Sequence, residues 1–170
     1  MLYGKFIQLV EDHAEELTKA WIEEVKQNPA TPGYNKMPDD LLAKRIGDVY
    51  KRLHVWILQN DPADLESGEH YIKLGRERAS EEINLSEVIY SIIISRAVLS
   101  RFVHNQGIIN STFDVQQAFE FFDKVNNFYD KVNYLVTLGY ESYKSKDKEA
   151  FKKTEFIERS VNSITKWLIK

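Results

Sequence analysis

Apolar residues recur along this chain at steps of three and four, without a run of strict alternation, so the pattern predicts helices and no sheet. In residues 2–26, Phe6, Val10, Leu17, Trp21 and Val25 fall on one stripe of a first helix, which "NPATPGYNKMP" ends. A second starts at Asp39 or Asp40, good capping residues, and turns Leu42, Ile46, Val49, Leu53, Trp56 and Ile57 inward as far as Gln59. Asp61 caps a third, with Pro62 in the first turn, where a missing N–H costs little; this helix reaches Glu82, with Gly68 and Gly75 as weak or close-packing points. Ser86 caps a fourth, over residues 87–103.

The fifth helix, residues 112–143, is the longest, and Ser111 and Asp114 before it are spaced like a capping box. Val115, Ala118, Phe122, Val125, Tyr129, Val132 and Val136 alternate steps of three and four, which is a heptad seam. Phe121, Phe128 and Leu135 add a second row, and a helix with two apolar rows has two neighbours. A sixth carries Phe156, Val161, Ile164, Trp167 and Leu168. The expected fold is all-α with about six helices, an antiparallel bundle or a globin-like stack. Residues 1–145 form one helical domain, and residues 146–170, after the Lys-rich "YKSKDKEAFKK", a linker or signalling helix.

Composition narrows the function. At 170 residues and 43% hydrophobic content the chain can bury a core without staples. Lys+Arg 23 against Asp+Glu 26 gives a net charge of -3, so no basic field exists to hold nucleic acid. The chain has no cysteine, which excludes disulfides, thiolate metal sites and a cysteine nucleophile and fits a reducing cytoplasm. No apolar run approaches the ~20 residues of a spanning helix, so a soluble cytoplasmic protein without membrane insertion is expected.

Catalytic patterns are missing: no glycine-rich phosphate loop, no HExxH, no nucleophile elbow and no paired ExxH of a di-iron bundle. No enzymatic activity, cofactor or metal is expected. His13, His54, His70 and His104 are scattered, and a haem-binding gas sensor would need His54, His70 or His104 as the iron ligand. "GEHYIKLGRE" approaches the HxxKG of histidine phosphotransfer domains, with Lys73 correctly spaced from His70, but Leu74 stands where the glycine belongs and Gly75 comes one residue late.

One feature of the fourth helix asks for an explanation. Arg96 stands among Ile93, Ile94, Val98 and Leu99, and a desolvated guanidinium must find an anion or carbonyls. Either it pairs with a carboxylate such as Asp123 or Asp130 or snorkels to the edge, or it forms an anion-binding pocket with Arg78 as second cation. Ser91 and Ser95, one turn apart, supply hydroxyls in either case.

The stretch "YIKLGRERASEEINLSEVIYSIIISRAVL" resembles the helical N-terminal domain of RsbRD-type proteins, co-antagonists of the RsbT switch kinase, a domain also found at the front of many bacterial histidine kinases. The matching pattern is Gly75, Arg78, Ala79, Leu85, Glu87, Val88 and Arg96, and upstream "HAEELTKAWIEEV" also fits. The resemblance covers about residues 5–140. Glu82 departs from it, standing where the family has glycine, so the tight turn is expected at Ile83 and Asn84, with Asn84 left-handed. The resemblance implies a sensory or regulatory input domain that serves a downstream output domain or partner protein. The heptad seam adds the expectation of a homodimer paired through the fifth or last helix, and for a small ligand the candidate contacts are Arg78, Arg96, Ser91 and Ser95.

Overall fold

A computed structural model describes residues 3–58, 64–145 and 154–168. Among them every regular element is a helix: α1 (Gly4–Asp12), α2 (Ala14–Gln27), α3 (Pro32–Asn35), α4 (Asp39–Lys51), α5 (Leu53–Leu58), α6 (Asp64–Ser80), α7 (Leu85–Asn105), α8 (Thr112–Lys144) and α9 (Thr154–Leu168). The all-α class is therefore as expected. The described residues hold nine helices rather than about six, because two expected helices are each broken and one loop contains a helix.

The first break is at His13. Its ring Nδ1 donates to the Leu9 carbonyl at 2.9 Å, the acceptor that a continuous helix would give to the His13 amide, and that amide turns to Val10 instead. The second is at Arg52 (φ -126°, ψ 34°), where the Asp48 carbonyl accepts both the Arg52 amide and the Trp56 indole N–H. The added helix, α3, starts at Pro32, whose fixed φ suits a first turn.

The starts of helices also differ from expectation in detail. Pro38 precedes α4, so Asp39 and Asp40 sit in its first turn and act on its dipole rather than as caps. Asn84, not Ser86, flanks α7, its carbonyl accepting the amides of Glu87 and Val88. The box at α8 forms as expected: the Ser111 hydroxyl accepts the Asp114 amide at 3.1 Å, and the Asp114 carboxylate accepts the Ser111 hydroxyl at 2.8 Å and the Asn110 amide at 3.1 Å. Lys5 of α1 pairs with the same carboxylate. Chiefly through Lys5, then Ser111 and Asn110, the Asp114 pKa is held down from 3.8 to about 2.

The chain divides into two compact units, Met1–Leu58 with Tyr90–Asn126, and Gln59–Ile89 with Asn127–Lys170. In the first unit Phe6, Val10, Leu17, Val25, Leu42, Tyr50, Leu53, Leu99, Val103 and Phe121 are almost wholly buried, with Phe6 stacked on Phe121. Each such side chain contributes about 1.5–3 kcal/mol of transfer free energy. The α8 seam is buried at Ala118 and Val125, whereas Val115 is 41% exposed.

In the second unit Ile72, Ala79, Val88, Tyr129, Leu135 and Val136 form the core. Two glycines bring α6 and α8 backbone to backbone: a Cβ on Gly75 would overlap the carbonyl of Val136, and one on Gly139 the carbonyl of Ile72. Gly68 gives the same room to Val161 of α9, so α9 packs on α6. The expected boundary at residue 146, the cap at Asp61 with Pro62, and the side chains of Phe156, Trp167 and Leu168 lie outside the described residues.

Candidate functional site

Ser91, Ser95 and Arg96 belong to the first unit and Arg78 to the second. Ser91 and Ser95 are buried and face aromatic donors and hydroxyls. The Ser91 hydroxyl donates to the Tyr34 hydroxyl at 3.0 Å, and the Ser91 carbonyl accepts the Trp21 indole N–H at 2.9 Å. One turn on, the Tyr50 hydroxyl bonds the Ser95 hydroxyl at 2.9 Å and the Ser95 carbonyl at 3.1 Å. Serines four apart thus form a polar column on α7 into which α2, α3 and α4 each insert one aromatic side chain. A mid-helix serine of this kind fixes the register of α7 against its neighbours.

Arg96 is half-buried, not enclosed by apolar side chains as expected. The reason lies in α7 itself. Ile94, Val98 and Leu99 face the core, but Tyr90 and Ile93 are 37% and 38% exposed, so the apolar residues around Arg96 do not all point one way. The stretch looks buried on every side only because its outer face is apolar too.

In the second unit the residues of the resemblance gather at the corner between α6 and α7. Arg78 is buried and lies 3.3 Å from Glu81. The Glu82 amide bonds the Ala79 carbonyl and the Ile83 amide reaches back to the Arg78 carbonyl, each at 3.2 Å, which is a Schellman closure of α6. That closure needs a left-handed residue, and Glu82 supplies it with φ 61°. The expectation of a left-handed Asn84 is corrected here: Glu82 is the non-glycine residue with positive φ among those described, so the turn lies at Glu82 and not at Ile83 and Asn84. Asn84 serves otherwise, its side-chain amide donating to the buried Glu87 carboxylate at 2.8 Å. Ala79 and Val88 are buried beside them, and the Tyr140 hydroxyl of α8 donates to the Ile83 carbonyl at 2.8 Å.

Surface grooves border α2 among the described residues of the first unit. One, of about 330 Å³, runs between Glu16, Glu23 and Glu24 of α2 and Arg101, Phe102 and Asn105 of α7. A second, of about 480 Å³, lies between α2 and α4 over Thr18, Ile22, Ala43 and Gly47. Neither is lined by a histidine or by any of the four candidate ligand residues.

The histidines are engaged at the surface. His54 offers its amide and ring Nδ1 to Glu11, and His104 bonds the Ser100 carbonyl and stacks on Phe122. His13 bonds the Leu9 carbonyl, and His70 is exposed beside Tyr71. Gly75, one residue beyond the place of the phosphotransfer glycine, is packed against the α8 backbone at Val136. Among the described residues no group of three metal-ligating side chains converges, and no helix is long and apolar enough to cross a membrane.

Tyr34 and Tyr50 have no role in the sequence reading, and Trp21 enters it only as an inward apolar residue, not as a hydrogen-bond donor. Their signal is the serine pair, which asks for buried hydrogen-bonding partners without naming them. No family model, curated protein or solved structure matches the chain.

Proposed function

We propose that this chain is a non-catalytic input domain of a bacterial signalling protein, of the kind that precedes the output modules of RsbT co-antagonists and histidine kinases. Its helices form an antiparallel bundle of globin-like type, it works in the cytoplasm as a homodimer, and it passes a change of state to an output domain or partner protein without binding nucleic acid. One observation carries this reading: the left-handed residue of the α6–α7 corner is Glu82, at the position where the family has glycine. A glutamate gains nothing from that conformation, and the left-handed form costs an L-residue about 1–2 kcal/mol. The corner's geometry therefore persists where the side chain opposes it, which supports a likeness of backbone rather than of letters alone. Arg78, Ala79, Glu87 and Val88, all buried at that corner, support it further, as does Gly75 where α6 meets α8.

The test is a fusion of the chain ahead of a histidine kinase catalytic module. Autophosphorylation is expected to change by about fivefold or more relative to the module alone, the usual size of a coupling between sites. Equal rates in the fused and unfused module would contradict the input role.

A further inference from the structure

One glycine in the interior of a helix has no reason inside the fold. At Gly68, Gly75 and Gly139 an added Cβ would run into a neighbouring helix. At Gly47, in the middle of α4, it would come no nearer than 3.8 Å to the Thr18 hydroxyl, which is an ordinary contact. Nor does Gly47 have the left-handed backbone that favours glycine. Alanine would fit there and would strengthen the helix, so the packing of the first unit does not account for the choice.

What Gly47 does is line the α2–α4 groove of about 480 Å³, with Thr18, Ile22 and Ala43. Ala43 and Gly47 stand one turn apart, so the α4 wall of the groove is little more than backbone there, and a glycine lets another chain approach closely. The groove also has a direction. Lys26 pairs with Asp39 and Thr18 lies opposite Gly47, so α2 and α4 run antiparallel. Glu23, Asp39 and Asp40 line one half, and in the other Lys19 and Lys51 outnumber Glu15. Asp39 is engaged by Lys26, but Lys19, Glu23, Asp40 and Lys51 enter no ion pair among the described residues.

We infer that this groove docks an amphipathic helix of a partner protein, running antiparallel to α4. Its apolar side chains, at helical spacing, lie over Ile22, Ala43 and Gly47, the mode in which a groove takes a helix. The α4 wall from Asp39 to Lys51 is about 18 Å long, which sets its length at some three turns. The charges set its direction. A helix is itself favoured by acidic residues in its first turn and basic residues in its last. Antiparallel to α4, those acidic residues meet Lys19 and Lys51 and the basic ones meet Glu23 and Asp40, so the helix's own preference and the groove's polarity agree. This partner surface is separate from the α6–α7 corner and does not depend on the input role.

A labelled synthetic peptide of about four turns, with glutamates first, lysines last and leucines along one face, tests it by fluorescence anisotropy against the whole chain. The wild type is expected to bind it in the micromolar range, Glu23→Lys at least about tenfold more weakly because one rim charge is reversed, and Gly47→Leu not at all because the groove is filled. Should Gly47→Leu fail to fold, Glu23→Lys, on the exposed rim, carries the comparison. Gly47→Ala is expected to melt at or above the wild-type temperature. A wild type that does not bind the peptide, binding undiminished in a folded Gly47→Leu or in Glu23→Lys, or a Gly47→Ala that melts below the wild type would overturn the inference. The kinase fusion reads the input role separately.

Discussion

The two units hold their helices together by opposite means. In the first, α7 is gripped by added chemistry: a tyrosine, a second tyrosine and a tryptophan reach the hydroxyls and carbonyls of Ser91 and Ser95. In the second, α6 and α8 meet because side chains are missing, at Gly75 and Gly139, and the backbones touch. Side-chain hydrogen bonds can be removed one at a time at moderate cost, because neighbours and water relax around the loss. A backbone contact has no such freedom, so a single methyl group is expected to do more harm there than the loss of a hydroxyl does in the first unit.

The largest effect should follow Gly75→Ala or Gly139→Ala. Alanine in a helix interior is worth about 1 kcal/mol over glycine by propensity alone, but here its methyl group meets a carbonyl that belongs to a packed helix. The net result is a destabilisation of about 2–4 kcal/mol, read as a fall in the urea midpoint. A variant as stable as the wild type would mean the two helices are further apart than described.

Next comes Tyr50→Phe, which removes two hydrogen bonds to buried Ser95 and should cost about 1–2 kcal/mol. The double variant with Ser95→Ala should cost less than the sum of the two single changes, because both act on one contact. Strict additivity would show that the column does not couple α4 to α7.

The smallest effect is a pH dependence at the start of α8. The fold lowers the Asp114 pKa from 3.8 to about 2, so its ionised form contributes stability above about pH 4, and that contribution disappears as pH falls toward 2. Asp114→Asn should therefore melt earlier than the wild type at neutral pH, with the difference shrinking as the solution is acidified through this window. A difference that stays constant with pH would show that the carboxylate's charge plays no part.

Much of this fold was legible because helical periodicity is a local property. The long α8, its capping box and the inward rows of α2 and α4 follow from spacing alone. The breaks at His13 and Arg52 were not legible, since each goes with one side chain, the His13 ring or the Trp56 indole, bonding a backbone carbonyl, which periodicity does not register. The candidate site was harder still. Ser91 and Ser95 were expected to serve Arg96 or an anion, whereas their hydroxyls meet tyrosines that lie 57 and 45 positions away in the chain. Arg96 looked enclosed because an exposed apolar stripe and a buried one cannot be distinguished in a single string of letters. At Glu82 the preference of asparagine for left-handed turns pointed to Asn84, whereas the Schellman bonds to the Ala79 and Arg78 carbonyls fix the special position by their distance from the helix end.

That position also carries the proposed kinship, so the most direct test compares two variants by urea unfolding. Glu82→Gly relieves a left-handed non-glycine residue and should stabilise the protein by about 1 kcal/mol, while Asn84→Gly should leave it unchanged or weaken it by removing the amide that holds the Glu87 carboxylate. If Asn84→Gly were the stabilising change and Glu82→Gly the neutral or harmful one, the turn would lie elsewhere and the proposed kinship would lose the observation it rests on.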